Sequence, residues 1–134
     1  AFAGAIGQPD AHSGELPCAY VELVDGATVT PEELLEHLRG RIAERAAIPK
    51  HLEILPELPK TAVGKIFKPE LRKRAIARVY DAAMAEAGLP VAVAEVVEDR
   101  KRGLVARLRR TGTTEDAAVD KVLGAFTVPW EWSA

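Results

Sequence analysis

Leu58-Pro59-Lys60-Thr61-Ala62-Val63-Gly64-Lys65-Ile66 brings a proline, a threonine and a glycine close together and ends on a lysine and an apolar residue. Pro59 fixes its own φ and turns Leu58 away from helix. Gly64 admits backbone angles, or a close approach to a ligand, that a Cβ would forbid. A short constrained loop is expected, presenting Lys65 with Ile66 and Phe67 behind it as apolar anchors. Thr61 and Gly64 then help to constrain the loop. Any exposed turn can also carry a lysine, so spacing alone leaves a plain surface lysine as the alternative.

Working outward, Pro69-Glu70-Leu71-Arg72 follows the loop. Upstream come Ile6-Gly7-Gln8-Pro9-Asp10, Gly14-Glu15 and Ala19-Tyr20-Val21. The central stretch resembles the last core motif of the adenylate-forming enzymes, L-P-x-T-x-x-G-K, and meets every fixed position of it. The upstream residues resemble the V-G-x-P-D…G-E…A-x-V run that opens the small C-terminal domain of that superfamily. Its members include the acyl-CoA synthetases, the adenylation domains of nonribosomal peptide synthetases and the luciferases. The resemblance spans roughly residues 2–76.

A chain of 134 residues makes one domain, or one domain with a small appendage. Its 48% hydrophobic share suffices for a modest core. A net charge of −2 and a pI near 6.0 leave no basic excess for wholesale nucleic-acid binding. The single cysteine, Cys18, excludes an internal disulfide; in an apolar run it reads as a buried reduced thiol of a cytoplasmic protein. No apolar run approaches the ~20 residues of a membrane span, and nothing reads as a signal peptide. The opening Ala1-Phe2-Ala3 lacks an initiator methionine and starts inside an apolar strand, so a piece of a longer protein is expected.

In chain order, residues 1–6 read as a strand ended by a Gly7-Gln8-Pro9-Asp10 turn, and His12 as a solvated loop residue. Residues 16–24 read as an alternating second strand, followed by an Asp25-Gly26 turn. Thr30-Pro31-Glu32-Glu33 is a capping-box start for a helix to about Glu44 or Ala46. Leu34, Leu35, Leu38, Ile42 and Ala43 form its buried stripe, with His37 at the boundary. After Ile48-Pro49-Lys50, residues 51–55 form a third strand. A second helix runs from Lys68 to about Glu86, with a core stripe of Leu71, Ala75, Ile76, Val79, Tyr80 and Ala83 and a C′ glycine at Gly88.

Beyond it, residues 91–97 and 104–108 read as a hairpin around a charged turn, and Thr114 as the cap of a helix reaching about Phe126. Residues 127–132 are a last strand with Trp130 and Trp132 on one side, suited to packing or, as an alternative, to binding a partner. This strand-strand-helix-strand order repeats that of the first half, without evident residue-by-residue identity. The expected architecture is α+β: a small three-stranded sheet with two flanking helices, plus a C-terminal β-β-α-β extension. The division is a lid domain over 1–88 and the extension over 89–134. Arg100, Lys101 and Arg102, with Arg107, Arg109 and Arg110, are the one local positive excess. They read as a solvated hairpin or as a site for an anion such as a CoA phosphate or an acidic carrier surface.

The resemblance implies the chemistry. In this superfamily a substrate carboxylate attacks the α-phosphate of ATP, giving an acyl-adenylate and pyrophosphate. The matching lysine, here Lys65, would touch both repelling anions and neutralise the charge that develops between them. The small domain then rotates so that a thiol such as coenzyme A can attack. By the same resemblance, ATP with its Mg²⁺ and the acyl group are held by a large N-terminal domain that precedes this chain. The chain alone is expected to be inactive, with no metal ligands of its own. Many relatives carry an aromatic residue and a lysine where Ala46 and Ala47 stand here. The resemblance thus implies the C-terminal domain of an AMP-forming acyl-CoA synthetase acting on a fatty or aromatic acid. Alternatives are an enzyme loading a carrier protein, a relative without thiolation, and a non-catalytic interaction module.

Overall fold

A computed structural model describes residues 2–41 and 47–133. The chain divides into two compact units, Ala1–Gly7 with Leu16–Arg72, and Gln8–Glu15 with Lys73–Ala134. Two three-stranded sheets and three helices are described, so the fold is α+β.

The first sheet has the order β1-β2-β3, from β1 (Phe2–Asp10), β2 (Gly14–Glu22) and β3 (His51–Ile54). β1 runs through Gly7-Gln8-Pro9 instead of turning there, because β1 is an edge strand and an edge tolerates a proline that cannot donate. The turn falls at residues 11–13, where the Asp10 carboxylate accepts the N–H groups of His12 (3.1 Å) and Ser13 (2.8 Å). β2 is the middle strand and pairs in parallel with β3, Ala19 opposite Leu52. Cys18, Ala19 and Tyr20 are all buried, so both faces of β2 are covered and the expected alternation is blurred. β2 ends at Glu22, two residues early, and the expected Asp25-Gly26 turn follows, with Gly26 in the left-handed region (φ +82°).

Helix α1 (Pro31–Arg41) starts as its cap predicts: Thr30 Oγ1 accepts the Glu33 N–H at 3.2 Å. It packs against β3, yet Leu34, Leu35 and Leu38 are only half-buried, because a single four-residue strand covers part of an amphipathic face. The expected stripe members Ile42 and Ala43, the helix end at Glu44 or Ala46, and the Ala46 departure lie outside the described residues.

Helix α2 (Lys68–Glu86) ends in a Schellman motif. The Leu89 N–H reaches the Met84 carbonyl (3.0 Å), the Gly88 N–H that of Ala85 (3.1 Å), and Gly88 sits at φ +71°. β4 (Val91–Asp99) and β5 (Gly103–Arg110) form the expected antiparallel hairpin, and β6 (Trp130–Trp132) adds to β5 in parallel. Between them, α3 (Asp116–Leu123) is capped by Glu115 and not by Thr114, and the cap residue makes no side-chain hydrogen bond to the helix. Ile76, Tyr80 and Met84 of α2 pack with Val91, Ala106, Leu108, Val119 and Leu123 as one buried cluster. Trp130 and Trp132 pack against it and donate their indole N–H groups to Asp120 (3.0 Å) and Asp116 (2.8 Å) of α3. Each sheet thus follows a β-β-α-β order, with its last strand parallel to the middle one.

Candidate functional site

Thr61, Gly64 and Lys65 share one small hairpin that leaves β3 and leads into α2. Its base is closed by the Phe67 N–H on the Pro59 carbonyl (2.8 Å) and by pairing of Lys60 with Ile66. Higher up, the Thr61 N–H donates to the Lys65 carbonyl (2.7 Å) and the Gly64 N–H to the Thr61 carbonyl (2.9 Å). That leaves Ala62, Val63 and Gly64 as a three-residue loop whose last residue must be left-handed, and Gly64 has φ +84°. The Thr61 hydroxyl accepts the Lys65 N–H at 3.2 Å, tying the lysine's own backbone to the opposite leg. The Lys65 side chain is exposed and makes no ion pair or hydrogen bond among the described residues. A short, internally bonded hairpin therefore carries one uncommitted ammonium group.

The other lysine of the stretch behaves differently. Lys60 Nζ lies 2.7 Å from Glu22 Oε1 at the end of β2 and 4.4 Å from the centre of the Phe2 ring. The same carboxylate oxygen accepts the Leu58 N–H at 2.8 Å. The Lys60 hydrogen bond, then that of Leu58, holds the Glu22 carboxyl below its ordinary value. Leu58 is 2% exposed and is the true apolar anchor of the hairpin. Ile66 is half-buried beside Gly4, whereas Phe67, expected to anchor as well, is 40% exposed. Glu22 is the residue that sequence reading passed over.

Arg100, Lys101 and Arg102 share a second hairpin, in the other unit. Asp99 organises it: its carboxylate accepts the N–H groups of Lys101 (2.8 Å) and Arg102 (3.0 Å) and pairs with the Arg102 guanidinium (3.1 Å). Arg102 also meets Glu131 at 2.7 Å, and Arg107 meets Glu131 and Glu95. Arg110 pairs with Asp116 and lies over the Trp132 ring. The side chains of Arg100 and Lys101 are exposed and unpaired among the described residues.

These contacts, the Lys101 N–H first, pull Asp99 from its ordinary value of 3.8 down to about 2. The native state therefore binds that proton less readily than the unfolded chain. The Asp99 contribution to stability is present above about pH 4 and fades as pH falls through about 2. Thermal unfolding of Asp99→Ala beside the unaltered protein checks this: the gap seen at neutral pH narrows as pH falls from about 4 toward 2.

Among the described residues no group of three or more His, Cys, Asp or Glu side chains could hold a metal ion, and no helix is long and apolar enough to cross a membrane. Cys18, the single cysteine of the sequence, is buried.

Residues 1–65, which include the whole reach from β1 to the presented lysine, match the family model of the AMP-binding enzyme C-terminal domain. Over those residues the chain is similar to that family. A marinolic acid–CoA ligase of Pseudoalteromonas sp. (strain SANK 73390) is 48% identical over 77 residues, covering 58% of this chain and 12% of that protein. An acetyl-coenzyme A synthetase of Mycolicibacterium smegmatis (strain ATCC 700084 / mc(2)155) is 40% identical over 75 residues, covering 54% and 8%. Among solved structures, apo MatB from Rhodopseudomonas palustris matches at 34% identity with a TM-score of 0.48, covering 52% of this chain and 14% of that one. The matches thus span only a small part of the relatives' own length.

Proposed function

We propose that this chain is the mobile C-terminal part of an ATP-dependent, AMP-forming acyl-CoA synthetase, and that Lys65 serves acyl-adenylate formation. The observation that carries the reading is the exposed, uncommitted Lys65 ammonium on a rigid hairpin inside the residues of the family match. A carboxylate and a triphosphate repel each other, and charge grows on the oxygens between them as they react. A compact cation on a long stem, brought to that point, orients both and offsets the charge. Thr61 and Gly64 hold the loop that presents it. A large N-terminal domain of the same enzyme would supply the pockets for ATP, its Mg²⁺ and the acid. Rotation of the lid would then admit coenzyme A.

The lid module over 1–88, the extension over 89–134 and a cytoplasmic setting are parts of the same proposal; α2 runs across residue 72, where the two compact units part. The test is pyrophosphate exchange by the full-length enzyme over a panel of carboxylic acids, followed by CoA-dependent AMP release. Acid-dependent exchange with thioester formation supports the reading, and no exchange with any acid rejects it.

The unpaired Arg100 and Lys101 side chains favour a second reading, in which the thiol sits on an acidic carrier protein. The joint change Arg100→Glu/Lys101→Glu then raises the KM for the thiol acceptor several-fold and leaves pyrophosphate exchange intact. An unchanged KM for both coenzyme A and a carrier removes this hairpin from acceptor binding.

A further inference from the structure

We infer that Glu22 is a positioning residue for the Lys65 hairpin, acting through Lys60 and the backbone of Leu58. One oxygen, Oε1, takes both the Leu58 N–H and the Lys60 ammonium, and these two residues bracket Pro59. The Pro59 carbonyl in turn receives the Phe67 N–H that closes the other leg of the hairpin. Both legs are therefore referenced to a single carboxylate on β2, the middle strand of the first sheet. The pair is largely withdrawn from water, with side-chain exposures of 20% and 17%. Such an ion pair holds geometry far better than a solvated surface pair.

Lys60 is fully engaged, since Glu22 takes its charge and the Phe2 ring lies beneath it. Of the two lysines in the stretch, one fastens the hairpin and the other reaches from it. Glu22 itself makes no contact with Lys65.

Loss of the carboxylate charge leaves the Lys60 ammonium without its partner at the hairpin base and weakens the hold on Leu58. The tip then wanders by a fraction of an ångström or more. Misplacement of about 1 Å can lower a rate by roughly 10². The inference rests on the proposed role of Lys65, and the experiment separates the two. In the full-length enzyme, Glu22→Gln is expected to lower kcat for pyrophosphate exchange about tenfold. Thioester formation from supplied acyl-adenylate and coenzyme A stays intact, because that step does not use Lys65.

Lys60→Arg, which can keep the pair with Glu22, retains exchange near the unaltered rate. In a Lys65→Ala background, Glu22→Gln adds no further loss, since its only route of action is gone. If Lys65→Ala impairs exchange but Glu22→Gln does not, the inference alone is overturned. The same holds if the two losses multiply, or if both half-reactions fall together, for Glu22 is then merely structural. If Lys65→Ala leaves exchange unchanged, the role of Lys65 falls and the inference with it. Lys60→Met, which breaks the pair from the other side, repeats the whole test should Glu22→Gln fold poorly.

Discussion

Lys65→Ala in the full-length enzyme is expected to lower acid-dependent pyrophosphate exchange by ~10²–10³, or roughly 3–4 kcal/mol of transition-state stabilisation. The size follows from what the residue can and cannot be doing. Its side chain is exposed and bonded to nothing among the described residues, so its removal takes no support from the fold. Unfolding of the variant should therefore match that of the unaltered protein. The hairpin should also persist, because its ladder uses backbone groups and the Thr61 hydroxyl, none of which the change touches.

On the proposed role, what goes is one positive charge at the point where two anions would meet. That charge matters most when negative charge is building, so kcat falls and the KM values for acid and ATP move little. Lys65→Arg keeps the charge but replaces a compact ammonium by a wide planar fork, and an intermediate rate is expected. Thioester formation from supplied acyl-adenylate should proceed at the unaltered rate. Exchange that survives undiminished in Lys65→Ala removes this side chain from the mechanism, whatever the family match.

The lysine hairpin was legible because its determinants are local. Pro59, Thr61 and Gly64 lie within a few residues of Lys65, and turn chemistry is decided at that range. The Lys68–Glu86 helix was legible for the same reason, from the spacing of Leu71, Ala75, Ile76 and Tyr80 and the glycine at 88. Glu22 was not legible in this way, because its partners lie 36 and 38 residues further along. A signal existed nonetheless. Cys18, Tyr20 and Glu22 alternate onto one face of β2, and the first two are wholly buried. A carboxylate on such a face needs a cation or an N–H group close by.

The misplaced boundaries share a different cause. Pro9 inside β1 and the early end of β2 depend on which strand is the edge and which the centre, and no local window contains that. At the start of α3 the backbone entered the helix one residue later than the expected cap, Thr114. Arg102, Arg107 and Arg110 read as a positive excess because their partners Glu131, Glu95 and Asp116 are scattered along the chain.

Tyr80→Ala should destabilise the chain by about 3–5 kcal/mol, a large share of the ~5–15 kcal/mol that a domain commonly has. Tyr80 is wholly buried at the centre of the second unit's core, among Ile76, Met84, Leu108 and Val119. Its ring also meets Phe126, with centroids 5.2 Å apart. Its hydroxyl donates to the Val128 carbonyl at 2.6 Å, and burial pushes its pKa up to about 12. The change to alanine removes an aromatic ring from a packed site and leaves that carbonyl without its donor. Tyr80→Phe separates the two effects: it keeps the ring, gives up the hydrogen bond, and should account for about 1–2 kcal/mol.

Both can be read from urea unfolding followed by the fluorescence of Trp130 and Trp132, which pack against the same cluster. With a slope of about 2 kcal/mol per molar urea, the alanine variant's midpoint should fall by about 2 M at unchanged slope. A fall under about 0.5 M would mean that α2 is not held by this tyrosine. A loss equal to that of Tyr80→Phe would mean that the hydroxyl, and not the ring, carries the contact. Because Tyr80 lies on the same helix that leads out of the Lys65 hairpin, the experiment also sets the conditions under which variants of that hairpin can be compared as folded proteins.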